Sequence, residues 1–594
     1  MLRLESLPED EASALVGDAV SDEIRERIVR ASGGNPLFLT EMAALSDTDG
    51  GEVEVPATLR ALLIARLDQL EEQERRVLER GAVEGELFHR GTVQALAPEE
   101  TEVTPRLAAL VRRNLVRPDR PVLPREDAYR FRHLLIRDAA YDALPKATRA
   151  DLHRRFAEWL EEHGESVVEL DEILGYHLEQ AALYLAELRR PDDALAEAAS
   201  RRLATAGQRM RGRGDRPAAH SLLERAVKLV EQPDIHLAIA FAMSHALAGE
   251  AEPLLEAAAQ RADLAGDAAG AALARALGAQ MRLWTGESSP AEAEELGLIA
   301  VPLLEAGQDN AGLADLWSAL ANGVYNHGWQ HEKILAAAEL ARGYETLAGR
   351  PHDRSDGLCA IGLLYGPRTV DEALQRWATL RPMIRTDLMR ATLVAMSGRI
   401  EEARALAGAA EAHARELGGD IGAIPTDPDI AEIESLAGDH QAAAERLTVW
   451  CGLVAEHGWS SGVGYYLGFL ARELCLAGRY EEAAERVAEA REVDERSPAA
   501  QFVWRQAAAL VGSHRGEHLD AERLAREGLT HIEQTDSLQA QADAYFDLAE
   551  VLEAAGRRDE AIEAWSEALD RYERKGIVPL SRRVRERLAE LQPA

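Results

Sequence analysis

The chain has few of the residues on which disulfide frameworks and cofactor sites depend. Its 594 residues include three cysteines, which lie far apart in the sequence: Cys359, Cys451 and Cys475. Their separation excludes a disulfide framework and a thiolate zinc cluster. Lysine occurs at four positions, and none of the four follows the glycines of a G-x-x-x-x-G-K-[ST] phosphate loop. We therefore expect no cofactor, no metal and no catalytic site, so that the protein is not an enzyme.

Long apolar runs and an excess of positive charge are also missing. No uncharged run approaches the roughly 20 residues that a membrane-spanning helix needs. The first ten residues do not have the charged leader and apolar run of a signal peptide. From these two absences we predict a soluble, cytoplasmic protein. The net charge of −36 argues against nucleic-acid binding, because phosphate contacts need a basic surface.

Aromatic residues make up only 5% of the chain, whereas apolar residues make up 46% and charged residues 29%. Such a chain folds, and its abundance of alanine and leucine favours helices over strands. The predicted fold class is all-α. One small hairpin is expected near the N-terminus, between Leu115-Val116 and Tyr129-Arg130-Phe131.

A repeated pattern of small residues organises most of the sequence. A glycine is followed five residues later by an alanine, and a further small residue comes seven positions after that alanine. The copies are Gly214–Ala219–Ala226, Gly398–Ala403–Ala410, Gly478–Ala483–Ala490, Gly516–Ala521–Gly528, Gly556–Ala561–Ala568 and Gly438–Ala443, the last with Trp450 in the third position. Gly286–Ala291 also fits, whereas Gly249 and Gly328 are followed by larger residues.

This pattern predicts an array of antiparallel helix pairs. Glycine ends a first helix because it adopts the left-handed conformation without steric cost. Alanines seven residues apart lie on one face of the second helix and allow a neighbouring helix to approach closely. We expect about ten pairs over residues 170–590, six of them clearly marked. An irregular helical bundle with chance spacing is the alternative.

The pattern resembles the tetratricopeptide repeat. The best match is formed by Phe546, Leu548, Ala549, Gly556, Ala561 and Ala568. The period is nearer 40 residues here, against about 34 in the usual repeat. The resemblance implies a right-handed superhelix whose concave groove binds a protein, a peptide or a small effector. We expect partners to bind the groove of residues 385–590.

Three strings precede the repeats in a characteristic order. They are Gly34-Asn35-Pro36-Leu37-Phe38, then Val55-Pro56 with Ala65-Arg66-Leu67-Asp68-Gln69-Leu70, and then Phe131 to Tyr141. Together with the repeats they resemble the C-terminal part of STAND-class signalling ATPases, a family that includes LuxR-type regulators and ATPases linked to class III cyclases. The resemblance implies an ATPase lid remnant at 1–45, a winged-helix domain at 56–165 and the repeat superhelix at 170–590.

The ATPase core of that family is missing from this chain, because no phosphate loop is present. Gly34, Asn35 and Pro36 would then be a vestigial nucleotide sensor. We expect a non-catalytic regulator that senses a protein or small effector, with a partner such as a separately encoded ATPase or cyclase domain. The alternative is an ATP-binding regulator of an adenylate cyclase-like or transcriptional system. DNA binding would then use the winged helix and its basic cluster, Arg106, Arg112, Arg113, Arg117, Arg120 and Arg125.

Overall fold

The computed structural model describes residues 7–16, several single residues between 25 and 39, and then 59–124, 126–165, 167–213, 215–245, 248–416, 427–456, 463–493 and 498–591. Two compact units are present. Unit 1 contains Met1–Gln208 and Ser221–Pro233, and unit 2 contains Arg209–His220 and Asp234–Ala594. The division between the units falls within residues 208–234.

Unit 1 combines helices with a small sheet. Its helices are α1 Glu9–Val16, α2 Leu59–Asp68, α3 Glu72–Glu84, α4 Arg90–Leu96, α5 Val103–Arg112, α6 Leu134–Asp142, α7 Lys146–His163 and α8 Leu170–Glu187, and α9 Asp193–Arg213 and α10 Arg216–Lys228 cross into unit 2. Strands β1 Leu87–His89, β2 Val116–Asp119 and β3 Ala128–Phe131 form an antiparallel sheet in the order β1-β3-β2. The hairpin β2–β3 corresponds to the hairpin predicted between Leu115-Val116 and Tyr129-Arg130-Phe131.

Strand β1 was not predicted, because three residues are too short to show a periodic pattern. It is held by the side chain of Phe88, which is completely buried. The Phe88 ring packs 5.1 Å from the ring of Phe131. A Cβ at Gly81 would come within 2.8 Å of the Phe88 ring, so only glycine leaves room for it in α3.

Unit 2 is all-α within the described residues. Its helices are α11 Ile235–Ala242, α12 Ala248–Ala265, α13 Ala268–Thr285, α14 Pro290–Ala306, α15 Asn310–Ala319, α16 His331–Leu347, α17 Asp353–Tyr365, α18 Val370–Trp377, α19 Ile384–Met396, α20 Ile400–Glu416, α21 Asp427–Ala437, α22 His440–Glu456, α23 Val463–Leu476, α24 Tyr480–Glu492, α25 Pro498–His514, α26 His518–Ile532, α27 Leu538–Ala554, α28 Arg558–Lys575 and α29 Val578–Leu591. A π-helical turn, Leu320–Tyr325, continues α15. Helices α11 to α28 form nine successive pairs, and α29 packs on the last of them.

The glycine pattern in the C-terminal half is confirmed. Gly398, Gly438, Gly478, Gly516 and Gly556 have positive φ angles of 89°, 85°, 78°, 81° and 76°. In each case the second helix of the pair begins two residues later. The alanines five residues after the glycines are completely buried: Ala403, Ala443, Ala483, Ala521 and Ala561. The tetratricopeptide-like arrangement of helix pairs therefore follows directly from the spacing of small residues.

The pattern is wrong at Gly286, where Ala291 is exposed. Gly286 does adopt a positive φ, but the following turn is two residues longer because Ser289 caps α14 and Pro290 is its first residue. The buried alanine is consequently Ala293. In the third pair, Trp329 has the positive φ, 50°, and Ile334 is buried five residues later. Gly214 lies outside the described residues.

Ala561 is expected to tolerate no large side chain. Ala561→Arg should lower the free energy of unfolding by about 2–4 kcal/mol, because the contact between helices is overpacked and a charge is buried. Hydrogen exchange should show the loss in α27 to α29, with α11 to α13 unchanged, since repeats are coupled mainly to their neighbours. The control is Ala554→Arg, at an exposed position of α27. Equal stability of the Ala561→Arg protein and the parent would contradict the repeat register.

A candidate binding pocket between the first helices

Unit 2 contains a pocket that lies mainly between the first helices of successive pairs. It encloses about 820 Å³, including its opening to solvent. Aromatic lining residues are Trp329, Tyr365, Tyr465, Phe469, Phe502, Phe546 and Tyr572, and polar ones include Glu432, His440, Arg472, Gln539, Asp543 and Arg583. An apolar pocket with a few convergent polar groups is the usual form of a ligand site.

Asp536 joins the last helix pair to the third. Its carboxylate accepts hydrogen bonds from the backbone N–H groups of His331 and Glu332, both at 2.8 Å, at the start of α16. The His331 ring nitrogen Nδ1 lies 2.9 Å from the same carboxylate. Although burial opposes it, the hydrogen bonds from His331 and Glu332 lower the pKa of Asp536. A carboxylate at a helix N-terminus is stabilised by the helix dipole, so Asp536 caps α16 from about 200 residues away.

Lys575 makes a second contact between helix pairs that are distant in the sequence. Its side chain is completely buried, and its Nζ donates to the carbonyl oxygens of Gly366 at 2.6 Å and of Leu363 at 3.3 Å. These carbonyls lie at the C-terminal end of α17, where a positive charge is favoured. Burial lowers the pKa of Lys575 to about 7. The ninth pair therefore meets the third and fourth, and the pocket lies inside this closure.

Aromatic rings form one wall of the pocket. The ring of Trp329 lies 5.4 Å from that of Tyr465 and 6.4 Å from that of Tyr365. Trp329 has a positive φ, which costs a bulky residue about 1–2 kcal/mol. Such strain persists where the surrounding structure holds it in place, and it is concentrated at ligand sites.

Carboxylates and one arginine cluster beside these rings. Arg472 donates two hydrogen bonds to Asp547, at 2.7 and 3.0 Å, and both side chains are buried. Tyr572 donates to Asp543 at 2.5 Å. Tyr365 and Gln539 donate to Glu432 at 3.3 and 2.9 Å. Burial raises the pKa of Asp547 to about 6 and that of Glu432 to about 7.

The site residues that we predicted from the sequence are different from those of the pocket. Gly34 and Asn35 lie outside the described residues, and Pro36 is an exposed helical residue. The expected partner surface over 385–590 contains most of the pocket, but Trp329 and Tyr365 come from earlier pairs. A signal for part of the pocket is visible in the repeat, because Glu432 and Arg472 both stand six residues before a turn glycine. Charged residues at a fixed position of a first helix mark its inner face.

The basic cluster in unit 1 is partly neutralised. Arg106 pairs with Glu71 at 2.6 Å, and Arg113 pairs with Glu74 at 3.3 Å. Arg125 lies outside the described residues. Two of the side chains that would contact DNA phosphates are therefore already engaged by carboxylates of the same unit.

Two further features are absent from the part of the chain that the structure describes. No three His, Cys, Asp or Glu side chains converge as ligands of a metal ion would. None of the described helices has the length and apolar character needed to cross a membrane.

No family model matches the chain, and no curated protein matches it. Solved structures do resemble it. A STAND protein with a tetratricopeptide repeat sensor from Pyrococcus horikoshii is 14% identical over 99% of this chain and 75% of its own, with a TM-score of 0.41. The Cut9–Hcn1 hetero-tetramer of APC/C is 14% identical over 74% and 83%, with a TM-score of 0.44. A Rap protein complexed with Competence and Sporulation Factor is 15% identical over 66% and 99%, with a TM-score of 0.31. Likeness at this level is compatible with many functions.

Proposed function

We propose that the protein is a non-catalytic regulatory sensor that binds a peptide segment, free or part of a partner protein, in the pocket of unit 2. The observation that supports this most directly is the pocket itself. Aromatic rings and polar groups from several repeats converge in it. Rings of this kind give large contact area at low entropic cost.

Peptide binding in the pocket would affect the contacts that join distant helix pairs of unit 2. The contacts of Asp536 and Lys575 join pairs that are about 200 residues apart, and the pocket lies between them. A ligand that contacts both sides of the pocket stabilises the closed arrangement relative to an open one by its differential affinity for the two. Binding can thus be transmitted as a change in the curvature of the array.

Within this proposal, the protein is the sensing half of a STAND signalling system. Residues 1–45 would be the lid remnant and 56–165 the winged helix, and the output would pass to a separately encoded ATPase or cyclase domain. The order of helices and strands from α3 to β3, three helices with a three-stranded sheet, is consistent with a winged helix. The acidic partners of Arg106 and Arg113 favour a packing role for this module over DNA reading.

Peptide display on the full chain tests the proposal. Random dodecapeptides are selected on the protein, and the enriched peptides are resynthesised with a photo-crosslinking group. The label should be found on residues that line the pocket. Ala540→Phe, which fills the pocket, should weaken binding at least tenfold. Ala554→Phe is the matched control, because it makes the same change at an exposed position of the same helix, α27.

Two outcomes would reject the proposal. One is a set of peptides that crosslink outside the pocket and bind both variants equally. The other is micromolar affinity for ATP with magnesium-dependent turnover, which the alternative of an ATP-binding regulator predicts.

A further inference from the structure

Glu432 is a buried carboxylate without a counter-charge. Its side chain belongs to a residue that is only 8% exposed, and its two hydrogen bonds come from the neutral groups of Tyr365 and Gln539. No basic side chain lies within ion-pairing distance of it in the described part of unit 2. Two buried cations of unit 2 are engaged by other groups, Arg472 by Asp547 and Lys575 by backbone carbonyls.

The surroundings of Glu432 add negative charge. Asp429, one turn earlier in α21, and Asp543 of α27 both raise the pKa of Glu432, after burial, which is the main cause. The pKa of Asp429 is itself raised by burial to about 7. An unpaired buried carboxylate is costly, and a cation that enters the pocket removes that cost.

Gln539 supplies an independent observation. Its Nε2 donates to Glu432, whereas its amide oxygen is buried and has no hydrogen-bond partner in the described structure. The carboxylate and this oxygen can only accept hydrogen bonds. A group that carries several N–H donors and a positive charge would therefore satisfy both the carboxylate and the amide oxygen.

The aromatic wall fits the same group. The rings of Trp329, Tyr365 and Tyr465 stand together beside Glu432, whose carboxylate contacts the Tyr365 hydroxyl. Ring faces attract cations, and they attract a planar guanidinium most readily because it can stack on them. A guanidinium also has five N–H donors in a planar fork, enough for both oxygens of Glu432 and the oxygen of Gln539.

Resting on the proposed function, we infer that the pocket binds an arginine side chain of the peptide ligand, between Glu432, Gln539 and the rings of Trp329 and Tyr465. The guanidinium pairs with the carboxylate and donates to the amide oxygen, while its plane lies against the rings. The pocket is thereby specific for a basic peptide, which also agrees with the net charge of −36.

The test uses the peptides that bind the full chain and lose affinity with Ala540→Phe. We expect one arginine position to recur in them. Replacing that arginine with citrulline, which keeps the shape and removes the charge, should weaken binding at least tenfold in calorimetry, and replacement with lysine should weaken it less. The citrulline change leaves the protein untouched, so a folding defect cannot produce the result.

The protein-side arm uses Glu432→Gln. This variant should bind the arginine peptide at least tenfold more weakly and should no longer distinguish it from the citrulline peptide. The control is Glu434→Gln on the same helix, whose carboxylate instead accepts from Arg404 at 3.0 Å; it should bind like the parent. Pocket-binding peptides without a basic residue, or full affinity in Glu432→Gln, would overturn this inference and leave the proposed function standing. The absence of any peptide sensitive to Ala540→Phe would overturn both.

Discussion

Arg472→Met is expected to lower the free energy of unfolding of the C-terminal repeats by about 3–5 kcal/mol, because it leaves a buried carboxylate without its cation. Arg472 is 7% exposed and Asp547 is completely buried. The carboxylates of Asp543 and Glu473 each lie 3.8 Å from the guanidinium. The positive charge of Arg472 is thus close to three carboxylates. Methionine replaces much of the volume of the arginine side chain but not its charge.

The location of the loss can be measured as well as its size. Arg472 lies on α23 and Asp547 on α27, two first helices with α25 between them. Hydrogen exchange followed by mass spectrometry should therefore show weaker protection in both α23 and α27, with the helices of unit 1 unaffected. Urea unfolding of the full chain gives the corresponding free energy.

Two further variants distinguish a buried ion pair from an ordinary surface pair. The double variant Arg472→Met/Asp547→Leu should recover a large part of the loss, since it removes both charges of the pair. Arg479→Met breaks the exposed pair of Arg479 with Glu482, which are 2.6 Å apart, and should cost about 0–1 kcal/mol. A similar cost for Arg472→Met and Arg479→Met would show that the pocket is more hydrated than the structure indicates.

The local order of unit 2 was predictable because each turn is encoded by adjacent residues. A glycine at the turn and an alanine five residues later specify one helix pair without reference to the rest of the chain, as Gly556 and Ala561 show. The same reasoning failed at Ala291, where a Ser-Pro cap lengthens the turn. At Trp329 a bulky residue occupies the left-handed position, and this residue lines the pocket.

The pocket was not predictable in the same way, since it depends on closure. The bond between Lys575 and Gly366 spans 209 positions, and that between Asp536 and His331 spans 205. Nothing near Lys575 in the sequence points to its acceptors. Glu432 and Gln539 likewise become neighbours only when the array curves enough to bring α21 and α27 together.

Unit 1 should lose stability steeply between about pH 6.5 and pH 4, because two of its histidines are buried in their neutral form. His153 is completely buried and His177 is 3% exposed, and their Nδ1 atoms are 2.8 Å apart. At that distance the Nδ1–H of one neutral ring donates a hydrogen bond to the Nδ1 of the other. The hydroxyl of Tyr141 lies 2.7 Å from Nε2 of His153 and 3.0 Å from the hydroxyl of Tyr184.

The direction of the effect follows from the pKa values. Burial, and then the positive charges of Arg137 and Arg149, lower the pKa of His153 from 6.5 to about 4. Burial and the neighbouring His153 lower the pKa of His177 well below its usual value. In this window the unfolded chain binds protons that the folded chain does not, so stability falls as the pH falls. His153 alone contributes about 3 kcal/mol to the change, and His177 adds to it.

The measurement is hydrogen exchange of α7 and α8 in the full chain at pH values from 7 to 4, corrected for the intrinsic exchange rate. The double variant His153→Gln/His177→Gln keeps hydrogen-bonding groups in place and removes the titration, so its protection should change much less over this range. His163→Gln, at an exposed position at the end of α7, should behave like the parent. An equal acid-induced loss in the parent and the double variant would mean that carboxylates elsewhere in unit 1, and not this histidine pair, set its stability in acid.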